Sequence, residues 1–182
     1  MEERAGLKIR VFGDPVLRKR AGLVKEVDSG CRNILSHMAQ LMYEASGIGL
    51  AAPQVGINQA MIVVDAGSGL YKLINPKITA REGRQALEEG CLSVPGVCIK
   101  VNRAMRVVVE ALDENSKAIK IDAEGLFACV LQHEIDHLKG KLIVDYASFL
   151  DKLKIKNKLS KLEKRVKDEV PKSETESCKL QL

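Results

Sequence analysis

Six consecutive residues, Gln132-His133-Glu134-Ile135-Asp136-His137, carry the side chains best suited to chemistry. On a helix, positions i and i+4 lie on one face, so His133 and His137 can aim their imidazoles at one point. Glu134 projects about 100° around the helix from His133, close enough to act on a ligand of a metal without binding the metal itself. His-Glu-x-x-His on a helix is how hydrolytic metalloenzymes hold a divalent ion and supply a general base. Isolated histidines on an apolar helix usually belong to the core. Two at this spacing, with glutamate between them and only His37 elsewhere in the chain, weigh toward metal binding.

The third ligand must be of another kind. Gly90-Cys91-Leu92-Ser93-Val94-Pro95 is the best place for it, because a glycine beside Cys91 lets backbone and substrate approach closely. Spacing alone reads Cys91 equally well as a buried core thiol. As a ligand, it would complete a Cys-His-His set with a fourth position open, which separates a catalytic site from a closed structural one.

The elements that must position these residues follow from periodicity. Ile34, Leu35, Met38, Leu41, Met42 and Ala45 recur at helical spacing after Ser29, a candidate N-cap, and that helix should stop near Gly47. Gly47 to Gly56 has neither period and reads as a compact loop. Met61–Val64 and Tyr71–Ile74 are strand-like, with Asn75-Pro76 interrupting the second. Val97–Val101, Arg106–Leu112 and Ala118–Asp122 give three more strands, the last two flanking the turn Asp113-Glu114-Asn115-Ser116. A helix is expected from about Ala123 to Lys139, with Gly140 as its stop and Leu126, Val130, His133 and His137 on one face. Residues 1 to 26 read as an irregular arm with a turn at Gly13-Asp14-Pro15. Strands followed by a buried, site-bearing helix predict an α+β fold: small antiparallel or mixed sheets around a central metal-binding helix, plus a C-terminal helix.

The 182 residues, 46% apolar and 29% charged, suit one soluble globular domain with an aliphatic core. The N-terminus lacks the pattern of a secretory signal, and no stretch approaches the ~18 apolar residues of a membrane span. Both absences point to the cytoplasm, and five cysteines, an odd count, argue against a disulfide framework. Cys31, Cys129 and Cys178 read as buried hydrophobes or free thiols. Residues 151 to 168 hold eight Lys/Arg against three Asp/Glu, leaving 21 of each sign elsewhere, so the net charge of +5 belongs to one C-terminal segment. Within it Ile155, Leu159, Leu162 and Val166 keep helical spacing, predicting a helix over about 147–169. A disordered tail is expected over 170–182, leaving 1–169 as the domain.

Three segments together, Gly47–Gly56, Glu89–Pro95 and Gln132–Gly140, resemble in order the three signature motifs of peptide deformylase. The flanking Gly13-Asp14-Pro15-Val16-Leu17-Arg18 and Asp122-Ala123-Glu124-Gly125-Leu126 fit as well, and the resemblance covers roughly residues 5 to 165. It implies a hydrolase that removes the formyl group from the N-formylmethionine of new polypeptides, releasing formate. Carried over residue by residue, Cys91, His133 and His137 become the metal ligands and Glu134 the general base. Gln54, through its side-chain NH₂, and Leu92, through its backbone N–H, become the donors to the developing oxyanion. Without the resemblance, Gln54 reads as a loop residue bonded to backbone.

The same resemblance makes Glu89 and Arg103 an ion pair bracing the cysteine loop. Ile48, Gly49, Gly90, Leu126 and Val130 would form the substrate pocket, apolar where the methionine enters. Fe²⁺ is the native metal that it implies, with Zn²⁺, Ni²⁺ or Co²⁺ able to substitute, since the ligand set does not itself select among them. The implied partner is the nascent formyl-Met polypeptide. The basic helix reads either as a solvated face or as a dock on ribosomal RNA; neither DNA nor membrane is expected as a partner. The family usually has Asp/Asn-Gly where this chain has Asn115-Ser116, and Gly96-Val97-Cys98 lies in a region that varies. Two rival readings are an endopeptidase that gives Gln54 and Cys91 no special role, and a metal-stabilised binding module with four protein ligands.

Overall fold

The first long helix, α1 (Ser29–Glu44), buries Cys31, Leu35, Met38, Ala39 and Met42 along one face. In the computed structural model, which describes residues 6–169, its cap is Asp28 rather than Ser29. The Asp28 carboxylate accepts the Cys31 N–H at 2.8 Å, satisfying an N–H that the helix leaves free. The helix ends at Glu44, close to the expected stop, with Ser46 in the left-handed region at φ +54°.

Seven strands follow: β1 (Gly49–Ala51), β2 (Met61–Val64), β3 (Tyr71–Glu82), β4 (Gln85–Gly90), β5 (Cys98–Arg103), β6 (Arg106–Leu112) and β7 (Ala118–Glu124). A five-stranded sheet runs in the order β1-β2-β3-β6-β7, and β4 pairs with β5 in a separate ribbon. Every pairing between these strands is antiparallel. The second helix, α2 (Gly125–His137), carries the site, and the third, α3 (Phe149–Glu169), closes the described chain. The fold is α+β, as expected. The tail from residue 170, Cys178 included, lies outside the described residues.

Burial explains this layering. Strand β2 is buried on both faces, with Met61 and Val63 packed with α1 and Ile62 and Val64 packed with α2. The cluster around α2 joins Leu73, Val107, Val109 and Ile121 of the sheet to Leu131 and Ile135 of the helix. A third cluster, of Leu17, Val94, Val97, Ile99, Leu142 and Ile143, fills the space under the β4–β5 ribbon and receives Ile155 of α3. Leu159 and Leu162 pack against that cluster, whereas Phe149, Leu150 and Leu153 stay exposed.

Several expectations change. Gly47–Gly56 is not all loop: it holds β1 and a 3₁₀ turn over Ala52–Val55, and full burial removes any alternation that would reveal the strand. Ala123 and Glu124 pair with Val107 and Arg106, so β7 runs to Glu124 and α2 starts only at Gly125. The inward alternation of Ile121 and Ala123 is the sign that the strand continues. Strand β4 has no clear signal in the sequence because Gln85, Glu88 and Glu89 occupy half of its positions. The region before Ser29 also contains a 3₁₀ turn, Pro15–Arg18, capped by Asp14.

Strand β3 does not stop at Asn75-Pro76. Asn75 takes φ +53°, the register to β6 shifts between Ile74 and Lys77, and the strand resumes. Asn75 Oδ1 accepts the Val24 N–H at 2.9 Å and its Nδ2 donates to Val24 O at 2.8 Å, so the bulge pins the N-terminal arm to the sheet. Ser116 sits at φ +63°, where the family's glycine would be unstrained. Asn75→Ala removes both side-chain bonds while keeping an awkward φ, and should lower unfolding free energy by ~2 kcal/mol in urea titrations.

Candidate metal centre

Three elements deliver the site. Helix α2 presents His133 and His137 one turn apart, and His137 Nε2 lies 3.2 Å from His133 Nε2. The turn after β4 presents Cys91, whose Sγ lies 3.4 Å from His137 Nε2. The three ligand atoms lie within 4.8 Å of one another. The main chain keeps Cys91 in place, because Val94 N donates to Cys91 O at 2.9 Å. Leucine 92 follows within the same turn, and no carbonyl among the described residues accepts its N–H.

The tautomer of His133 follows from its other nitrogen. Nδ1 lies 2.8 Å from Glu89 Oε2 and donates to it, which leaves the Nε2 lone pair facing Cys91 and His137. Burial opposes charge on His133, but the hydrogen bonds it donates to Cys91 and Glu89 and the charges of Glu134 and Cys91 outweigh it and hold its pKa up at about 10. A positive charge is therefore favoured at this point, whether a proton or a divalent ion. Burial and the neighbouring cationic groups His133, Arg103 and Arg18 hold His137 well below the ordinary imidazole range, as a neutral ligand requires. Two nitrogens and a sulfur turned on one point, with Glu134 Oε2 buried and without a partner among the described residues, suit a cation and its water.

Glu134 is only 3% exposed, and burial, partly offset by His133 and Arg103, pushes its carboxyl up to about 7. Room for it depends on Gly49 of β1. A Cβ at that position would run into Glu134 Oε1 and come within 2.9 Å of Val130 Cγ1. Gln54 stands in the 3₁₀ turn after β1. Its Oε1 accepts the Ala51 N–H at 2.8 Å, and its Nε2 lies 3.2 Å from Ser93 Oγ and 3.7 Å from Cys91 Sγ. The amide oxygen therefore does bond to backbone, as the loop reading held, while the NH₂ group faces the site.

Beneath the ligands lies a buried charge network. Arg103 donates Nε to Glu89 Oε1 at 2.7 Å and Nη2 to Glu89 Oε2 at 2.9 Å, and its Nη1 bonds Asp136 Oδ2 at 2.5 Å. Tyr146 donates its hydroxyl to the same Asp136 oxygen at 2.6 Å. Against the penalty of burial, Arg103 and His133 hold the Glu89 carboxyl down at about 2, so it stays ionised. Cys129 lies 3.2 Å from Glu89 Oε1, and burial beside that carboxylate pushes its thiol up to about 12, in keeping with an inert core cysteine.

A cavity of about 540 Å³ opens over the site. Ile48, Gly49, Gly90, Leu126 and Val130 all line it, together with Gln54, Cys91, Leu92, His133 and Glu134. Leu126 is 54% exposed and stands at the rim, so it is less enclosed than a core residue. Leu87 of β4 is a wall residue that sequence reasoning missed, along with Asp136, Tyr146 and Ser93. The alternation Gln85, Leu87, Glu89 along one face of β4 could have found Leu87.

The sequence model of the polypeptide deformylase family matches residues 7–153. The chain belongs to this family. Peptide deformylases of Halothermothrix orenii and Alkalilimnicola ehrlichii are 50% and 49% identical to it, over 76% and 86% of this chain and 92% and 90% of theirs. The crystal structure of a peptide deformylase from Legionella pneumophila, 42% identical, superposes with a TM-score of 0.82 over 92% of this chain and all of that one. A peptide deformylase from Synechococcus elongatus, solved in complex with actinonin, is 42% identical, with a TM-score of 0.81 over 87% of this chain and 88% of that one. Family membership agrees with a metal-dependent hydrolase. The family match ends early in α3 and leaves most of that helix outside it.

The charge network makes a structural prediction. Arg103→Ala leaves Glu89 and Asp136 buried without their counter-charge, and urea denaturation should register a loss of ~3–5 kcal/mol.

Proposed function

We propose that this protein hydrolyses the formyl amide of N-terminal formylmethionine on newly made polypeptides, releasing formate. The observation that carries the reading is the meeting of Cys91 and the Gln54 amide, from two separate segments, with the His-Glu-x-x-His helix in one cavity. An endopeptidase reading leaves both residues without a task. A structural metal module needs a fourth protein ligand, and the cluster among the described residues has three.

In this mechanism Cys91, His133 and His137 hold one divalent ion. When bound there, the ion would supply Lewis acidity that makes water a nucleophile near neutral pH. Glu134 receives a proton as water adds to the formyl carbon, and delivers one to the departing amide nitrogen. Gln54 Nε2 and the Leu92 N–H donate to the formyl oxygen as it gains charge, and losing either donor typically costs ~2.7–4 kcal/mol of transition-state stabilisation. Ile48, Leu126 and Val130, with Leu87, take the methionine side chain in an apolar wall, while Gly49 and Gly90 let the substrate backbone come close. Glu89, braced by Arg103, orients His133, as outer partners of metal ligands commonly do.

Iron(II) is the proposed native metal, with Zn²⁺, Ni²⁺ or Co²⁺ as substitutes. The thiolate beside iron would oxidise in air, so the iron form should lose activity aerobically. The catalytic domain is proposed to extend to residue 169, supported by the packing of Ile155, Leu159 and Leu162 on the core. A cytoplasmic location is proposed with it, since that is where the proposed substrate is made. No helix among the described residues is long and apolar enough to cross a membrane.

Protein purified without oxygen and loaded with Fe²⁺ or Ni²⁺ should release formate from a formyl-Met peptide. Glu134→Ala should slow kcat by ~10²–10⁴-fold. A chelator should abolish turnover and added metal restore it. Absence of formate from the loaded wild type would sink the reading, and cleavage of acetyl-blocked peptides would favour the endopeptidase. The lysines of α3 are proposed to meet ribosomal RNA. Truncation after Tyr146 should then weaken co-sedimentation with ribosomes at low salt, and unchanged sedimentation would refute the dock.

A further inference from the structure

A glutamine amide has one oxygen and two hydrogens to place. In Gln54, Oε1 accepts the Ala51 N–H at 2.8 Å, and Nε2 lies 3.2 Å from Ser93 Oγ and 3.7 Å from Cys91 Sγ. Turning the amide over would set its NH₂ against the Ala51 N–H, two donors face to face where water does not reach, so the orientation is settled. One amide hydrogen then goes to the serine, and the second points along the long 3.7 Å contact to Cys91 Sγ. Ser93 is wholly buried and Gln54 is 1% exposed, so solvent does not compete for the hydroxyl. The serine is itself fixed through its main chain, because Phe12 N donates to Ser93 O at 2.8 Å.

We infer that Ser93 is a positioning residue: its hydroxyl holds one Gln54 amide hydrogen and thereby aims the other at the formyl oxygen of the substrate. The inference rests on the oxyanion role proposed above for Gln54. Its physical basis is competition. Cys91 Sγ is an acceptor 3.7 Å away, and an amide free to swing further would spend its hydrogens on the metal ligand instead of on the reacting oxygen. The Ala51 N–H fixes which way up the amide sits, and the serine hydroxyl, a nearer acceptor at 3.2 Å, restrains the remaining swing of the NH₂ toward the sulfur. Ser93 makes no contact with substrate in this scheme and acts only through Gln54.

The test compares wild type, Ser93→Ala, Gln54→Ala and the double variant, all loaded with the same metal. Ser93→Ala should lower kcat by about tenfold, the scale of losing an outer partner, with KM unchanged. It should cost nothing further in the Gln54→Ala background. Equal losses in both backgrounds would overturn the inference, since a merely structural serine would act without regard to Gln54. If Gln54→Ala is slow but Ser93→Ala is not, the inference fails alone; if Gln54→Ala is silent, the oxyanion role falls and the inference with it. A second measurement does not depend on turnover, and its wild-type arm does not depend on the variants folding. In NMR spectra of the wild type, one Gln54 side-chain amide proton should exchange slowly with solvent, and Ser93→Ala should lose that protection. Rapid exchange of both protons in the wild type would overturn the inference outright.

Discussion

A carboxylate buried between a guanidinium and an imidazole is the interaction on which the rest of this molecule depends. Glu89 accepts both ends of the Arg103 guanidinium fork and orients His133 with the same pair of oxygens. Its position in β4, Arg103 in β5 and His133 in α2 mean that one side chain joins the ribbon to the helix that carries the ligands. Isolated charges in such a place would cost several kcal/mol each, so the pairing must be complete for the site to exist at all. Asp136 extends it by using the third guanidinium nitrogen, and Tyr146 satisfies Asp136 from the turn that leads into α3.

The close approach of β1 to α2 follows from the same economy of space. Glu134 can lie buried beside the ligands because Gly49 presents no side chain to it. Behind the helix, Gly140 serves a parallel need at φ +71°, where a Cβ would lie 2.5 Å from Arg18 O and force the N-terminal arm away. One glycine therefore gives the carboxylate its place and the other lets the arm close over the end of the helix. The sheet contributes rigidity, since β2 is packed on both faces and carries β1 at its edge.

Much of this was legible in the residues. Helix α1, the strand β6 and the turn after it have clear periods and strong turn chemistry, and they stand where those signals put them. The pairing of His133 with His137 needs only helical geometry. Other parts were hidden for identifiable reasons. Strand β1 is three residues of small, wholly buried side chains, and burial on both faces leaves no alternation to read. Strand β4 puts a charged residue inward at Glu89, which reverses the usual polar-out pattern. Strand β3 passes through Asn75-Pro76 because Asn75 recovers at Val24 the hydrogen bonds that its bulge gives up.

The sequence by itself determined the chemistry available: two imidazoles on one helical face, a carboxylate beside them, and a basic segment confined to the C-terminus. These are local facts, set by spacing along a single helix and by composition. Only the tertiary structure decided that Cys91 faces the same point as the histidines, 46 residues from His137, and that Gln54 turns its nitrogen rather than its oxygen toward the site. It also decided that Glu89 faces inward to Arg103 and His133 instead of outward to solvent. Such outcomes depend on which buried polar groups can satisfy one another, and that is fixed by contacts between distant segments, which a linear pattern does not contain.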